Sequence, residues 1–313
     1  MPKVPSSLLP AAIAALINAT VWGLAWIPLK WLEARGVDTL WTTLFIFAAC
    51  TLAVLAVRPG AIVRSLASPQ LLWLMLASGL TNVCFNVALA TGDVVRSVLL
   101  FYLMPMWVVV LARWLLHEAV TVSALGRIAL ALIGAVLVLG EGRLELPVPS
   151  SAADWLAVVA GFCFGLNNVL LRRFASLTDD VRSLAMFSGA VFCAPIAMLV
   201  LTLLGQPPVL TLQGSTWLVL GLFALAVLVG NLALQYGATR LRANVLSVLM
   251  LAEILVASVS AWWAGSAVMS GTTVAGGLLI VSASVLAIFS RAPAQRDTPP
   301  MRVTRESAGP GGQ

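Results

Sequence analysis

The sequence predicts an all-α integral membrane protein with ten transmembrane helices, arranged as two inverted five-helix repeats. Three observations predict it. Of 313 residues, 61% are hydrophobic and only 10% charged, and mean hydropathy is +1.02, whereas a soluble domain carries about 25% charged residues. Apolar runs of about 20 residues, the length that crosses a bilayer core, recur along the chain with short gaps. Finally, Asn82 and Asn86 lie in one such run, and Asn231 and Gln235 lie in another 149 residues on, with the same four-residue step. A step of four returns to one side of a helix. An amide in hydrocarbon is costly unless it finds a partner or lines a wet cavity.

The expected spans are 9–30, 38–57, 70–90, 95–115, 121–140, 153–173, 183–204, 215–236, 242–263 and 269–289. The first run follows Met1-Pro2-Lys3 and could be a signal peptide. It is long enough to span and has no convincing cleavage site, so it reads as a retained helix. Asn18, Trp22 and Trp26 lie on it at steps of four. In the fourth span Pro105 removes a backbone donor and frees the carbonyl of Phe101, which makes it a candidate hinge, with Tyr102 beside it. The fifth and tenth spans carry Gly126/Gly134 and Gly276/Gly277, where small residues let helices approach. In the sixth, Asn167 and Asn168 point about 100° apart. Glu253, in the ninth, is the only acidic residue deep in an apolar run. Trp41, Trp155 and Trp217 near span ends suit an interfacial belt. The expected organisation is a first repeat over 1–145, a second over 146–290, and a disordered tail over 291–313.

Basic residues set the topology. With the N-terminus in the cytoplasm, fourteen fall inside: Lys3, Arg58, Arg64, Arg113, Arg127, Arg172, Arg173, Arg182, Arg240, Arg242, Arg291, Arg296, Arg302 and Arg305. Outside fall four: Lys30, Arg35, Arg96 and Arg143. The positive-inside rule then places both termini in the cytoplasm. Five helices per copy is odd, so the copies run in opposite senses. Trp22-Gly23 matches Phe164-Gly165 and Lys30 matches Arg172 at an offset of 142, and the longer loop at Gln206-Pro207-Pro208 accounts for the change to 149. Inverted repeats place a substrate site near the midplane.

Several function classes are excluded. The basic residues form no patch with interleaved aromatics, which argues against nucleic acid. Cys50, Cys84, Cys163 and Cys193 have no metal-ligand spacing and read as small buried hydrophobes. His117 is the only histidine and reads as a solvated turn residue. No catalytic motif or phosphate loop is present, so no enzyme activity, metal or cofactor is expected. The candidate substrate-binding residues are Asn18, Trp22, Asn82, Asn86, Tyr102, Asn168, Asn231 and Gln235, with Glu253 as a coupling residue able to carry a proton. Two readings of the amides stand side by side. Either they ring a cavity as donors and acceptors, or they join helices, at about 0.6 kcal/mol per bond.

Trp22-Gly23 with Lys30 closing the first helix, the Tyr102-Leu103-Met104-Pro105 stretch, Glu118 closing the fourth helix, and Glu253 in the second copy resemble the drug/metabolite transporter superfamily. The nearest members are EamA-type exporters of bacterial inner membranes. The resemblance covers roughly residues 10–290 and its motifs are loose. Ile254 stands where the second copy often has proline, and the second helix reads Thr43-Leu44-Phe45-Ile46-Phe47-Ala48, without the arginine many members carry there. That absence and the Tyr-Leu-x-Pro stretch look more like the branch that exports aromatic amino acids. The resemblance implies a monomeric, ATP-independent permease in the lipid bilayer, with a central cavity lined by helices one, three, four, six, eight and nine.

The leading expectation is a secondary transporter exporting a small metabolite, an amino acid or an amphipathic analogue, by alternating access. A multidrug or quaternary-amine carrier, or a nucleoside carrier, is the alternative within the class. Nucleotide cargo would call for a basic residue deep in a helix, and none is seen. A lipid-acting membrane enzyme lacks its reactive cluster. A non-transporting membrane subunit would leave the matched amides unexplained.

Overall fold

The computed structural model describes residues 8–139, 148–265 and 269–289. Its helices are α1 (Leu8–Leu24), α2 (Trp26–Glu33), α3 (Thr39–Val57), α4 (Ala61–Leu66), α5 (Leu71–Thr91), α6 (Val94–Phe101), α7 (Met104–Leu115), α8 (Val122–Leu139), α9 (Ala152–Arg173), α10 (Asp179–Leu203), α11 (Gly214–Arg240), α12 (Ala243–Met250), α13 (Ala252–Trp263) and α14 (Gly271–Ile288). Three end-to-end pairs, α1/α2, α6/α7 and α12/α13, make the first, fourth and ninth spans. With the other long helices they give ten segments long and apolar enough to cross a membrane. Leu199, Leu222 and Leu278 are among many exposed large apolar side chains, as lipid contact requires. The chain is a multi-pass, all-helical membrane protein.

Two spans differ from the sequence expectation. The seventh begins at Asp179, not 183, because Asp179 and Asp180 occupy its first turn, where the helix dipole favours acid. Arg182 is therefore helical and buried rather than in a loop; it bonds Asp179 and donates to the Phe174 carbonyl at 3.0 Å. The eighth runs on to Arg240, whose guanidinium stacks 3.7 Å from the Tyr236 ring centroid in the last turn. Arg127 also departs from expectation. It is buried within α8 and donates to Ser123 Oγ at 2.7 Å, so Arg127, like Arg182, is a buried basic residue of a helix. The short α4 was not foreseen. It lies between spans with Ile62, Val63 and Leu66 exposed, and Arg64 pairs with Asp180 on α10.

The repeat is visible in the packing. α5 packs on α9 as α11 packs on α1, and α7 packs on α9 as α13 packs on α1. The second and seventh spans pack together, as do the fifth and tenth, each pair being equivalent under exchange of the halves. At the fifth–tenth contact a Cβ on Gly134 would lie 2.6 Å from the Gly276 carbonyl oxygen, and one on Gly276 would lie 2.5 Å from that of Gly134. The backbones touch there, which only glycine allows. The expected boundary at 145/146 and the tail 291–313 lie outside the described residues, as do Lys3, Arg143, Arg291, Arg296, Arg302 and Arg305.

The fourth and ninth spans break alike. Each is an eight-residue half-helix followed by a twelve-residue one, beginning at Val94 and Ala243. At each break the ladder tightens to three-residue bonds: Leu103 N–H to Leu100 at 3.3 Å and Met106 to Leu103 at 2.9 Å, then Leu251 to Val248 and Ile254 to Leu251, both at 3.1 Å. Pro105 sits in the first turn of α7, where a missing N–H goes unnoticed. The ninth span breaks without a proline. What the two share is close backbone approach. A Cβ on Gly23 would fall 2.7 Å from the Glu253 carbonyl oxygen, and one on Gly161 2.5 Å from that of Phe101.

Span ends gather on two faces. One holds the start of α1 together with the Arg64–Asp180 and Glu118–Arg172 pairs. The opposite face joins the loops after α2 and α10, with Asp38 N–H donating to Val209 at 3.0 Å and Thr211 N–H to Gly36 at 2.8 Å, and it holds the Arg96–Asp154 pair.

Candidate functional site

Where the two broken spans meet, the Tyr102 hydroxyl and the Glu253 carboxyl lie side by side. Tyr102 caps α6 and is buried; Glu253 lies in the first turn of α13 and is half-buried. Ten residues of rise from Ala243 put Glu253 about 15 Å in, half of a bilayer core of about 30 Å. Aromatic rings stand beside the pair. Phe101 packs against Phe85 at 4.6 Å, Tyr102 at 5.5 Å and Phe164 at 5.5 Å between centroids. Trp22 is half-buried against the core, and Trp26 donates its indole N–H to Ser260 Oγ at 3.0 Å, joining the first and ninth spans.

The repeat-matched amides make repeat-matched bonds. Asn82 Nδ2 donates to Ser78 carbonyl and Asn231 Nδ2 to Val227 carbonyl, both at 2.9 Å and both one turn back on their own helix. Asn86 Nδ2 donates to Thr43 Oγ1 at 2.7 Å, and Gln235 Nε2 to Ser183 Oγ at 2.9 Å. Thr43 is on the second span and Ser183 on the seventh, which are equivalents in the repeat. The first amide of each pair thus bonds its own helix, and the second braces a neighbouring span.

A second set of polar side chains is buried without bonds to match. Asn18 Nδ2, Asn167 Oδ1, both polar atoms of Asn168, Asn244 Oδ1 and Trp107 Nε1 find no hydrogen-bond partner. Their helices α1, α9 and α7 all pack against α12, which carries Asn244. Sequence reading named Asn18 and Asn168 but missed Asn244. That residue follows Arg242 at a span end and looks like the start of a helix rather than part of its interior.

Beneath this set, at the face where α1 begins, charged groups tie three elements together. Arg172 Nε donates to Glu118 Oε1 at 2.9 Å, and its Nη1 bonds the Leu241 carbonyl in the α11–α12 turn. Glu118 Oε1 also accepts from Ala243 N–H at 3.4 Å. Arg173 donates to the Leu115 carbonyl at 2.9 Å. Leu115, Leu116, Glu118, Arg172, Arg173 and Thr239 line a surface cleft there. His117 sets the carboxylate in place. It is exposed, as expected for a turn residue, and its φ of 56° lets Glu118 N–H wrap back to the Ala112 carbonyl at 3.1 Å, a helix closure usually made by glycine. Among the described residues no cluster of metal-ligating side chains occurs, and the four cysteines are unpaired.

Residues 9–140, the first repeat, match the model of the EamA-like transporter family. No curated protein matches the chain. One solved structure, described only as the crystal structure of a protein, is 21% identical with a TM-score of 0.71, covering 88% of this chain and 96% of that one. That likeness is one of fold.

Proposed function

We propose that the chain is a secondary transporter of the EamA type within the drug/metabolite superfamily, working by alternating access between its inverted halves. The family match over residues 9–140 supports this, and so does the fold. The observation that carries the reading is the Tyr102–Glu253 contact at mid-depth, where the two broken spans cross. Inverted-repeat carriers place substrate sites near the midplane, at discontinuous helices. The basic-residue bias supports an inner membrane location with both termini in the cytoplasm.

The cargo in this reading is a small amphipathic metabolite, in first place an amino acid and within that class an aromatic one. The Phe85, Phe101 and Phe164 rings offer an apolar wall, and Tyr102, Asn18 and Asn168 offer polar contacts to a carboxylate and an ammonium. Trp22, Asn82, Asn86, Asn231 and Gln235 complete the proposed lining, with Asn86 and Gln235 holding its walls in register through their bonds to neighbouring spans. Glu253 would carry the coupled proton. No cofactor or metal takes part, and the working unit is a monomer in the bilayer.

Cells overexpressing the protein should release aromatic amino acids faster and tolerate their toxic analogues better than cells carrying Glu253→Gln. No change in release or resistance for any amino acid or analogue would remove this substrate class. A carboxylate flanked by aromatic faces also suits an organic cation, so quaternary amines belong in the same screen. Resistance to these alone would favour the multidrug reading.

A further inference from the structure

Under exchange of the repeats, α6 and α12 are counterparts, yet their surroundings differ. All eight residues of α12 are buried. α6 is half open, with Val94 56% exposed at its start. The ends differ in the same sense. Arg172 is locked to Glu118 and to the α11–α12 turn. Its counterpart Lys30 is exposed, with its ammonium 5.5 Å from the Trp26 ring centroid, and it pairs with no carboxylate among the described residues. The sequence counterpart of Glu118 is Ala267, which has no carboxylate to offer. Two halves matched in spans, breaks and glycine contacts are therefore closed by different ion pairs, Glu118–Arg172 on one face and Arg96 of α6 with Asp154 on the other.

Behind the pair lies the set of buried, unpartnered amides. Asn244 is the second residue of α12, Asn168 lies five residues before the end of α9, and Asn18 lies ten residues into α1. Asn244 and Asn168 sit between the ion pair and the midplane and Asn18 sits at mid-depth, and each is at most 6% exposed. Buried polar groups without partners are destabilising where they stay dry. Three on adjoining helices mark a surface meant to be wetted in another state of the protein.

We propose that Glu118 and Arg172 form a latch, which holds the α12 half-helix over a polar path lined by Asn18, Asn168 and Asn244. Releasing the latch opens that path to the face where α1 begins, the cytoplasmic face by charge. With the latch closed, α12 stays packed and the path is shut on that side. Its purpose rests on the transporter reading, but its test does not.

Ser247 lies on α12, fully buried, and cysteine is close to it in size. In a background with the four native cysteines replaced, Ser247→Cys is challenged with a membrane-impermeant maleimide from each side of sealed vesicles. Labelling from the α1-start side should be slow with the latch intact and about tenfold faster in Glu118→Gln, the size of a modest two-state bias. Exchanging the pair, Glu118→Arg with Arg172→Glu, should return it towards the slow rate. Asn168→Cys is the second reporter if Ser247→Cys does not fold. Equal labelling with and without the latch, or an increase from both sides alike, overturns the proposal. Faster labelling in a protein that moves no cargo would sink the transporter reading and leave the latch. Measured transport with unchanged labelling would do the reverse.

Discussion

At the scale of single residues, Asn86 and Asn168 differ in whether their amides have partners. Asn86 holds Thr43 at 2.7 Å, so Asn86→Ala should lower the unfolding temperature in detergent, with a cost of about 0.6 kcal/mol. Asn168 has both amide atoms buried and unbonded. Asn168→Leu, close in shape and apolar, should leave that temperature unchanged or raise it, while reducing transport. A stable Asn168→Leu with full transport would take this residue out of the path. Glycines divide in the same way. A Cβ on Gly189 would fall 2.0 Å from the Met75 carbonyl oxygen, whereas one on Gly221 meets nothing within 4 Å. Gly189→Ala should prevent stable folding; Gly221→Ala should stabilise by about 0.5–1 kcal/mol. Glu253 and Tyr102 stand out as candidates in the sequence itself, because a carboxylate and a phenol are conspicuous in an apolar run. Their contact was not legible there, since 151 positions separate them and periodicity says nothing about which helices meet.

At the scale of elements, the surprise is the break. The run from Ala243 to Trp263 contains no proline or glycine, and an uninterrupted apolar run reads as one helix. Its break lies where its backbone meets Gly23, a contact that no local signal encodes. The fourth span announces its break through Pro105, yet the proline only fits a break that its counterpart makes without it. Pro105→Ala should therefore keep the half-helix arrangement and change stability by no more than about 1 kcal/mol; a straightened fourth span in a structure of that variant would restore the proline as the cause. The closure of α7 gives a second check. His117 holds a left-handed conformation at φ 56°, which costs a residue with a Cβ roughly 1–2 kcal/mol. His117→Gly should raise the unfolding temperature, and His117→Val should lower it and loosen Glu118. The short α4 was illegible for a simpler reason: six residues are too few for a period to show.

At the scale of the whole molecule, the sequence carried the architecture because the chain states it twice. Amides at 149, Trp-Gly and Phe-Gly at 142, and an odd number of spans per copy are enough to give inverted halves. The structure adds that contacts repeat as well: Gly23 meets the Glu253 carbonyl, and its counterpart Gly165 meets that of Met104 at 3.4 Å. What the repeat leaves unmatched, the Glu118–Arg172 pair and the buried α12, could be recognised only once the halves had been laid over one another in space.

The central claim, that small amphipathic metabolites cross through the meeting point of the broken spans, is tested most directly by uptake of labelled aromatic amino acids. The measurement uses proteoliposomes, with and without a pH gradient, holding wild-type protein or the Asn168→Leu and Tyr102→Phe variants. Saturable uptake driven by the gradient and reduced in both variants is the expected result. Uptake that never saturates, or that both variants match in full, would contradict it.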